Sequence, residues 1–185
     1  EGAIDSVWPS NRTLSAFVIG GGGYVFPQYI ELARPGSRVA VGTSRWAVVD
    51  LQARRLVRLP EFVRRCPVPR RPPALDRSPA VLAPVDPPEL ERRFEVRRGD
   101  LDVLRHVNNT RYIEWALEAV PDEVLETHRP AAFEIAFRRE AVSGDVVLAR
   151  TRRQGGDTAA FAHELRSVRA DHELARMASV WRPKA

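Results

Sequence analysis

Between Asp100 and Thr110 the chain gathers groups that can move protons and face negative charge. Asp100 and Asp102 bring carboxylates, His106 an imidazole, and Asn108 and Asn109 amides, all within one short turn. A helix follows. Tyr112, Ile113, Ala116, Leu117 and Val120 recur on one apolar face at helical spacing, and Pro121 stops the run. Asn108 or Asn109 suits the N-cap, because a short amide side chain accepts an N–H that the first turn leaves without a partner. A polar loop thus leads into the positive end of a buried helix, where negative charge developing in a reaction can be received. His128, His163 and His172 show no metal-ligand spacing and have no cysteine beside them, so metal dependence is not expected.

The elements that must position this turn can be read on either side of it. Phe94 and Val96 alternate as a strand entering it. Beyond the helix, Phe133, Ile135 and Phe137 alternate as a second strand. Ser143-Gly144-Asp145 turns the chain into a strand over 146–152, and Gly155-Gly156-Asp157 into another over 159–168. Asp171-His172 leads to a last strand over 174–181. The order is strand, helix, then four antiparallel strands.

Residues 1–51 read as β structure. A short apolar run over 14–19 ends at Gly20–Gly23, which lacks both nucleotide-binding spacings and reads as a turn. Tyr29–Leu32, a Pro35-Gly36 turn and residues 38–51 suggest two strands joined tightly. From 60 to 88 prolines crowd together with Arg64, Arg65, Arg70, Arg71 and Arg77. Proline removes backbone donors and fixes φ, so this is expected to be a semi-extended linker lying over a surface. Phe62 is its lone aromatic, which counts against a stacking platform for single-stranded nucleic acid. Ala40–Trp46 echoes Ala175–Trp181, with Ala, Ser and Trp at matched positions. A duplicated unit follows, its second copy complete and its first lacking an upstream strand and helix.

The chain has 185 residues, 44% hydrophobic and 29% charged, enough for one large domain or two small ones with real cores. No apolar run approaches the roughly 20 residues that cross a bilayer, so no membrane association is expected. Residues 1–15 show no secretory signal, and a start at Glu1 fits a fragment or a processed chain. Cys66 stands alone, which excludes an internal disulfide and fits a reducing, cytoplasmic setting. The net charge of +5, carried by arginine except for Lys184, favours an acidic partner.

Asp100-Leu101-Asp102, His106-Val107-Asn108-Asn109, Tyr112, Trp115, Glu118 and Pro121 together resemble the signature of acyl-ACP thioesterases, tandem hot-dog proteins. Phe133–Glu140 resembles that family's strand bearing a catalytic glutamate, and Trp46–Asp50 with Arg54, Arg55 and Leu59-Pro60 resembles the end of its first repeat. The resemblance covers about 38–65 and 92–183. It implies an α+β hot-dog fold, a curved antiparallel sheet around a long helix. Residues 1–65 would be a partial N-terminal repeat, 66–91 a Pro/Arg-rich linker, and 92–185 a complete C-terminal repeat. It further implies a hydrolase of fatty acid biosynthesis, acting on acyl carrier protein or on a coenzyme A thioester, with no cofactor. A non-catalytic acyl-binding protein is the alternative. An apolar face left open by the partial repeat would be covered either by residues outside the given sequence or by a second copy, giving a homodimer. A nucleic-acid role ranks behind all of these.

Carried over residue by residue, the resemblance makes Asp102, His106 and Glu140 active-site residues. Two positions depart from the pattern: Leu104 stands where the family has asparagine, and Ala141 where plant members often have cysteine. An alkyl group neither donates nor accepts, and Ala141 removes any thiol nucleophile there. Thioester hydrolysis then needs water, a base and donors for the oxyanion. Glu140 is the expected base, as a carboxylate partly withdrawn from water. Backbone N–H groups over Asn108, Asn109 and Thr110 are the expected oxyanion donors. Asp102 would position thioester or water, or polarise His106. Each has a plain alternative: Asp100 as a solvated turn residue, His106 as a core histidine, Glu140 in a surface ion pair with Arg138 or Arg139, and Tyr112, Trp115 and Leu117 as core.

Overall fold

The computed structural model describes residues 4–8, 12–18, 25–50, 55–65, 75, 81–102, 105–156 and 158–184. Gly20–Gly23, Cys66, most of the 66–80 stretch, Leu104 and Asp157 lie outside them. The chain divides into two compact units, Glu1–Ser78 and Pro79–Ala185.

The first unit is a five-stranded antiparallel sheet in the order β1-β2-β3-β4-β5. Its strands are β1 (Ile4–Trp8), β2 (Arg12–Val18), β3 (Val25–Arg34), β4 (Ser37–Asp50) and β5 (Arg55–Val57). The Pro35-Gly36 turn joins β3 to β4, with Gly36 at φ 72°, a conformation that favours glycine. Its helix among the described residues is the single turn α1 (Glu61–Arg64), with Glu61 bonded to Arg65 at 2.8 Å on the surface.

The second unit has the hot-dog arrangement. Its strands are β6 (Leu90–Glu95), β7 (His128–Phe137), β8 (Val146–Gln154), β9 (Ala159–Ser167) and β10 (His172–Pro183), ordered β6-β8-β9-β10-β7 and antiparallel throughout. The helix α2 (Asn109–Glu118) packs on β8, β9 and β10. Ala40–Trp46 lies in β4 and Ala175–Trp181 in β10, each the fourth strand across its sheet.

The alternation of side chains along the strands explains why this sheet takes one face to the helix. Along β9, Ala159, Phe161, His163, Leu165 and Ser167 are buried against the core. Tyr112, Trp115 and Ala116 of α2 meet Val147, Leu165, Leu174, Ala175 and Met177. Trp115 stacks on Phe94 and tilts against Tyr112. Past Pro121 the chain does not go straight to a strand. It forms a second short helix, α3 (Asp122–Thr127), whose Val124 joins Val120, Phe161 and Trp181 in a smaller cluster. The lone lysine closes α3: Lys184 Nζ donates to the carbonyls of Leu125 and Glu126 at 2.8 Å each.

Among the described residues the buried polar side-chain atoms of this unit are paired, His172 Nε2 excepted. His163 Nδ1 lies 2.9 Å from Thr151 Oγ1 and its Nε2 2.8 Å from Ser179 Oγ, which also accepts from Trp181 Nε1 at 2.9 Å. Burial pushes the His163 imidazole down to about 4.

Residues 79–91, expected as linker, belong to the second unit. Leu82 and Val85 are buried, and the backbone that proline keeps out of any ladder is met by side chains of the sheet's outer face. Arg176 donates to Leu82 O at 2.9 Å, Arg152 to Asp86 O at 2.9 Å, and Val85 N–H donates to Glu164 Oε2 at 3.3 Å. Glu164, itself buried, pairs with Arg150 and Arg166. Among the described residues no helix is long and apolar enough to cross a membrane.

Candidate active site

The turn that opens the site is closed by its own backbone. Asp102 N–H donates to His106 O at 2.8 Å, Arg105 N–H to Asp102 O at 3.0 Å, and Leu101 bridges Val107 on the rung below. Arg105 sits at φ 63°, so the reversal is made without glycine at a cost of about 1 kcal/mol. Asp102 Oδ1 accepts the backbone N–H of His106 at 3.2 Å. That bond runs to the backbone that carries the histidine.

Asp100 is not the solvated turn residue expected. It is 2% exposed, and its carboxylate accepts Arg97 N–H at 2.8 Å while Arg111 Nε approaches at 3.4 Å. Its carbonyl accepts Asn108 N–H at 2.8 Å. A carboxylate so held welds the turn to the first turn of α2, because Arg111 belongs to the helix.

Glu140 comes from the other side. Strand β7 ends where Arg138 and Arg139 both donate to Leu174 O, at 2.8 and 3.1 Å, beside the register shift between Glu173 and Ala175. Such an irregularity bends the sheet and turns the chain off it. Arg138 then pairs with Glu173 at 3.4 Å. The side chain that faces the Glu140 carboxylate among the described residues is not an arginine but His106, with Nε2 and Oε2 3.5 Å apart. The side chains are 44% and 66% exposed, so Glu140 is less withdrawn from water than a buried base would be, and the pair is open to a ligand.

The helix start is partly engaged already. Asn108 is the N-cap: its Oδ1 accepts Thr110 N–H at 3.0 Å and Thr110 Oγ1 at 2.9 Å. With Asn108 N–H held by Asp100, two of the three expected oxyanion amides are taken. Asn109 N–H has no partner among the described residues, and it stands at the positive end of α2. No grouping of three or more His, Cys, Asp or Glu that could hold a metal exists among the described residues.

Residues 86–183 match the family described as the acyl-ACP thioesterase C-terminal domain. The chain belongs to the acyl-ACP thioesterase family. It is 38% identical over 90 residues to a chloroplastic dodecanoyl acyl-carrier-protein hydrolase of Cinnamomum camphora, covering 48% of this chain and 24% of the relative. Against the chloroplastic oleoyl-acyl carrier protein thioesterase 1 of Arabidopsis thaliana it is 30% identical over 167 residues, 77% of this chain and 46% of the relative. The chain therefore spans less than half the length of these curated relatives. The fold is shared with a putative oleoyl thioesterase of Lactobacillus plantarum, TM-score 0.78 at 24% identity, covering 94% of this chain and 69% of the other. It is shared too with a 12:0-ACP thioesterase of Umbellularia californica, TM-score 0.76 at 23% identity, covering 94% and 68%.

Of the residues that the acyl-ACP thioesterase resemblance singled out, His106 and Glu140 meet directly. Asp102 joins them through the His106 backbone, and Asn108–Thr110 form the adjacent helix start. Leu104, the departure from the family pattern, lies outside the described residues. Ala141 is fully buried and reached by a residue read from sequence as core rather than as an acyl contact: its N–H donates to the Tyr112 hydroxyl at 2.8 Å. Burial above all, with the Glu140 and Asp145 carboxylates adding to it and the Ala141 bond opposing, pushes the Tyr112 hydroxyl up. The helical spacing had marked Tyr112 as inward-facing. What it reaches is 29 residues away in sequence, and no local pattern carries that.

Proposed function

We propose that this chain hydrolyses an acyl thioester of acyl carrier protein and releases a fatty acid, with the His106–Glu140 pair as its working centre. The pair itself is the observation that supports this reading: an imidazole and a carboxylate 3.5 Å apart, partly exposed, beside an amide-bearing helix start. His106 engages Oε2 of Glu140, which leaves Oε1 to orient a water. As that water attacks the thioester carbon, its proton passes to Glu140. The carbonyl oxygen becomes an oxyanion and is received by Asn109 N–H at the positive end of α2. Collapse of the tetrahedral intermediate breaks the C–S bond, and the proton on Glu140 goes to the departing thiolate. Asp102 is a positioning residue, holding His106 through its backbone. Family membership and the names of the relatives support acyl carrier protein as the donor, and the +5 charge suits an acidic carrier.

Titrating the thiol released from acyl-carrier-protein and acyl-coenzyme A thioesters across chain lengths tests the reading. Turnover of the carrier-protein substrate, with a KM that rises with salt, is expected. Tight binding of both donors without thiol release would overturn it and leave an acyl-binding protein.

A further inference from the structure

Glu140 lies outside any strand, on a loop that begins at Arg138, and more than half of its side chain is in water. A carboxylate there has no packing of its own to hold it toward His106. The next residue has. Ala141 is fully buried, its N–H donates to Tyr112 Oη at 2.8 Å, and its carbonyl accepts Val107 N–H at 3.4 Å. Val107 adjoins His106, so the residue after the carboxylate is tied to the residue after the imidazole. Tyr112 is in turn fixed by edge-on contact with Phe137 and by Trp115, and it is 2% exposed.

We propose that Tyr112 is a positioning residue for the reaction: its hydroxyl clamps the Ala141 amide and so sets the Glu140 carboxylate against His106. Without that acceptor a buried N–H is left unsatisfied, and the loop moves to satisfy it. The inference rests on the hydrolase reading for its catalytic meaning and on the geometry alone for the clamp. Tyr112→Phe is the variant of choice, since it keeps the ring contacts and removes the acceptor.

Three measurements on the full chain decide it. In steady-state kinetics with an acyl-carrier-protein thioester, Tyr112→Phe is expected to lower kcat roughly 10–100-fold, the scale of a displacement of about 1 Å, with KM little changed. In single turnovers the same substitution made in a Glu140→Gln background is expected to cost nothing further, because the group it positions is already gone. In hydrogen exchange, the Ala141 amide is expected to exchange faster in Tyr112→Phe while that of Leu165, deep in the sheet, is unchanged. An equal fold-loss in both backgrounds, wild-type kcat in Tyr112→Phe, or unchanged exchange at Ala141 would overturn the clamp. A wild-type chain with no thioesterase activity would instead sink the hydrolase reading, and exchange at Ala141 would still decide the clamp.

Discussion

At the scale of residues, four side chains divide a task that the sequence spreads from Asp100 to Glu140. Glu140 faces His106, Asp102 fixes the backbone that carries His106, and Asp100 is the buried tie beneath both. Because Asp102 works as an acceptor for a backbone N–H, an amide oxygen can replace it. Asp102→Asn is therefore expected to keep more turnover than Asp102→Ala, by about tenfold or more in kcat, the worth of roughly one hydrogen bond to a charged group. Kinetics on both variants check this, and equal losses would assign Asp102 a role at the substrate instead. His106 stood out as the imidazole of the polar turn, whereas Glu140 was singled out only through the resemblance of its strand. Nothing in spacing announces that residues 106 and 140 meet, since the approach depends on β7 leaving the sheet at Leu174. Asp100 was misjudged for a related reason: the arginine that buries it, Arg111, comes from the next element.

At the scale of elements, the buried Thr151–His163–Ser179–Trp181 chain ties β8, β9 and β10 beneath α2. His163 is held at about 4 against an ordinary 6.5, so its neutral form is the folded one. The contribution is present above pH 6.5 and is lost as pH falls from there through about 4, amounting to about 3 kcal/mol. Urea midpoints for wild type and His163→Gln across pH 7.5 to 4 are expected to converge on acidification, and parallel curves would contradict this. The strands and α2 were legible because alternation and 3.6-residue spacing are local signals. Helix α3 was missed although Pro121-Asp122-Glu123 is a helix-start pattern, with proline at the N-cap and acids in the first turn. In the stretch from 60 to 88, read as a semi-extended linker, Glu61–Arg64 instead forms a helical turn, while residues 81–88 form neither helix nor strand. Which surface the latter lie on was not legible, because Arg152, Glu164 and Arg176 hold them from residues 66 to 94 positions away.

At the scale of the molecule, both core clusters of the second unit are built from residues between Phe94 and Trp181, all inside Pro79–Ala185. A fragment of residues 79–185 is therefore expected to unfold cooperatively in urea, with a single transition by circular dichroism and by tryptophan fluorescence. Non-coincident transitions would mean that its core is not self-sufficient. The site described, from Asp100 to Ala141, lies wholly within that unit. The most direct test is thus thiol release from an acyl-carrier-protein thioester by the full chain and by Glu140→Gln. A fall in kcat of about 10²–10⁴ with an unchanged melting temperature is the predicted result. Glu140→Gln turning over at the wild-type rate would contradict the account.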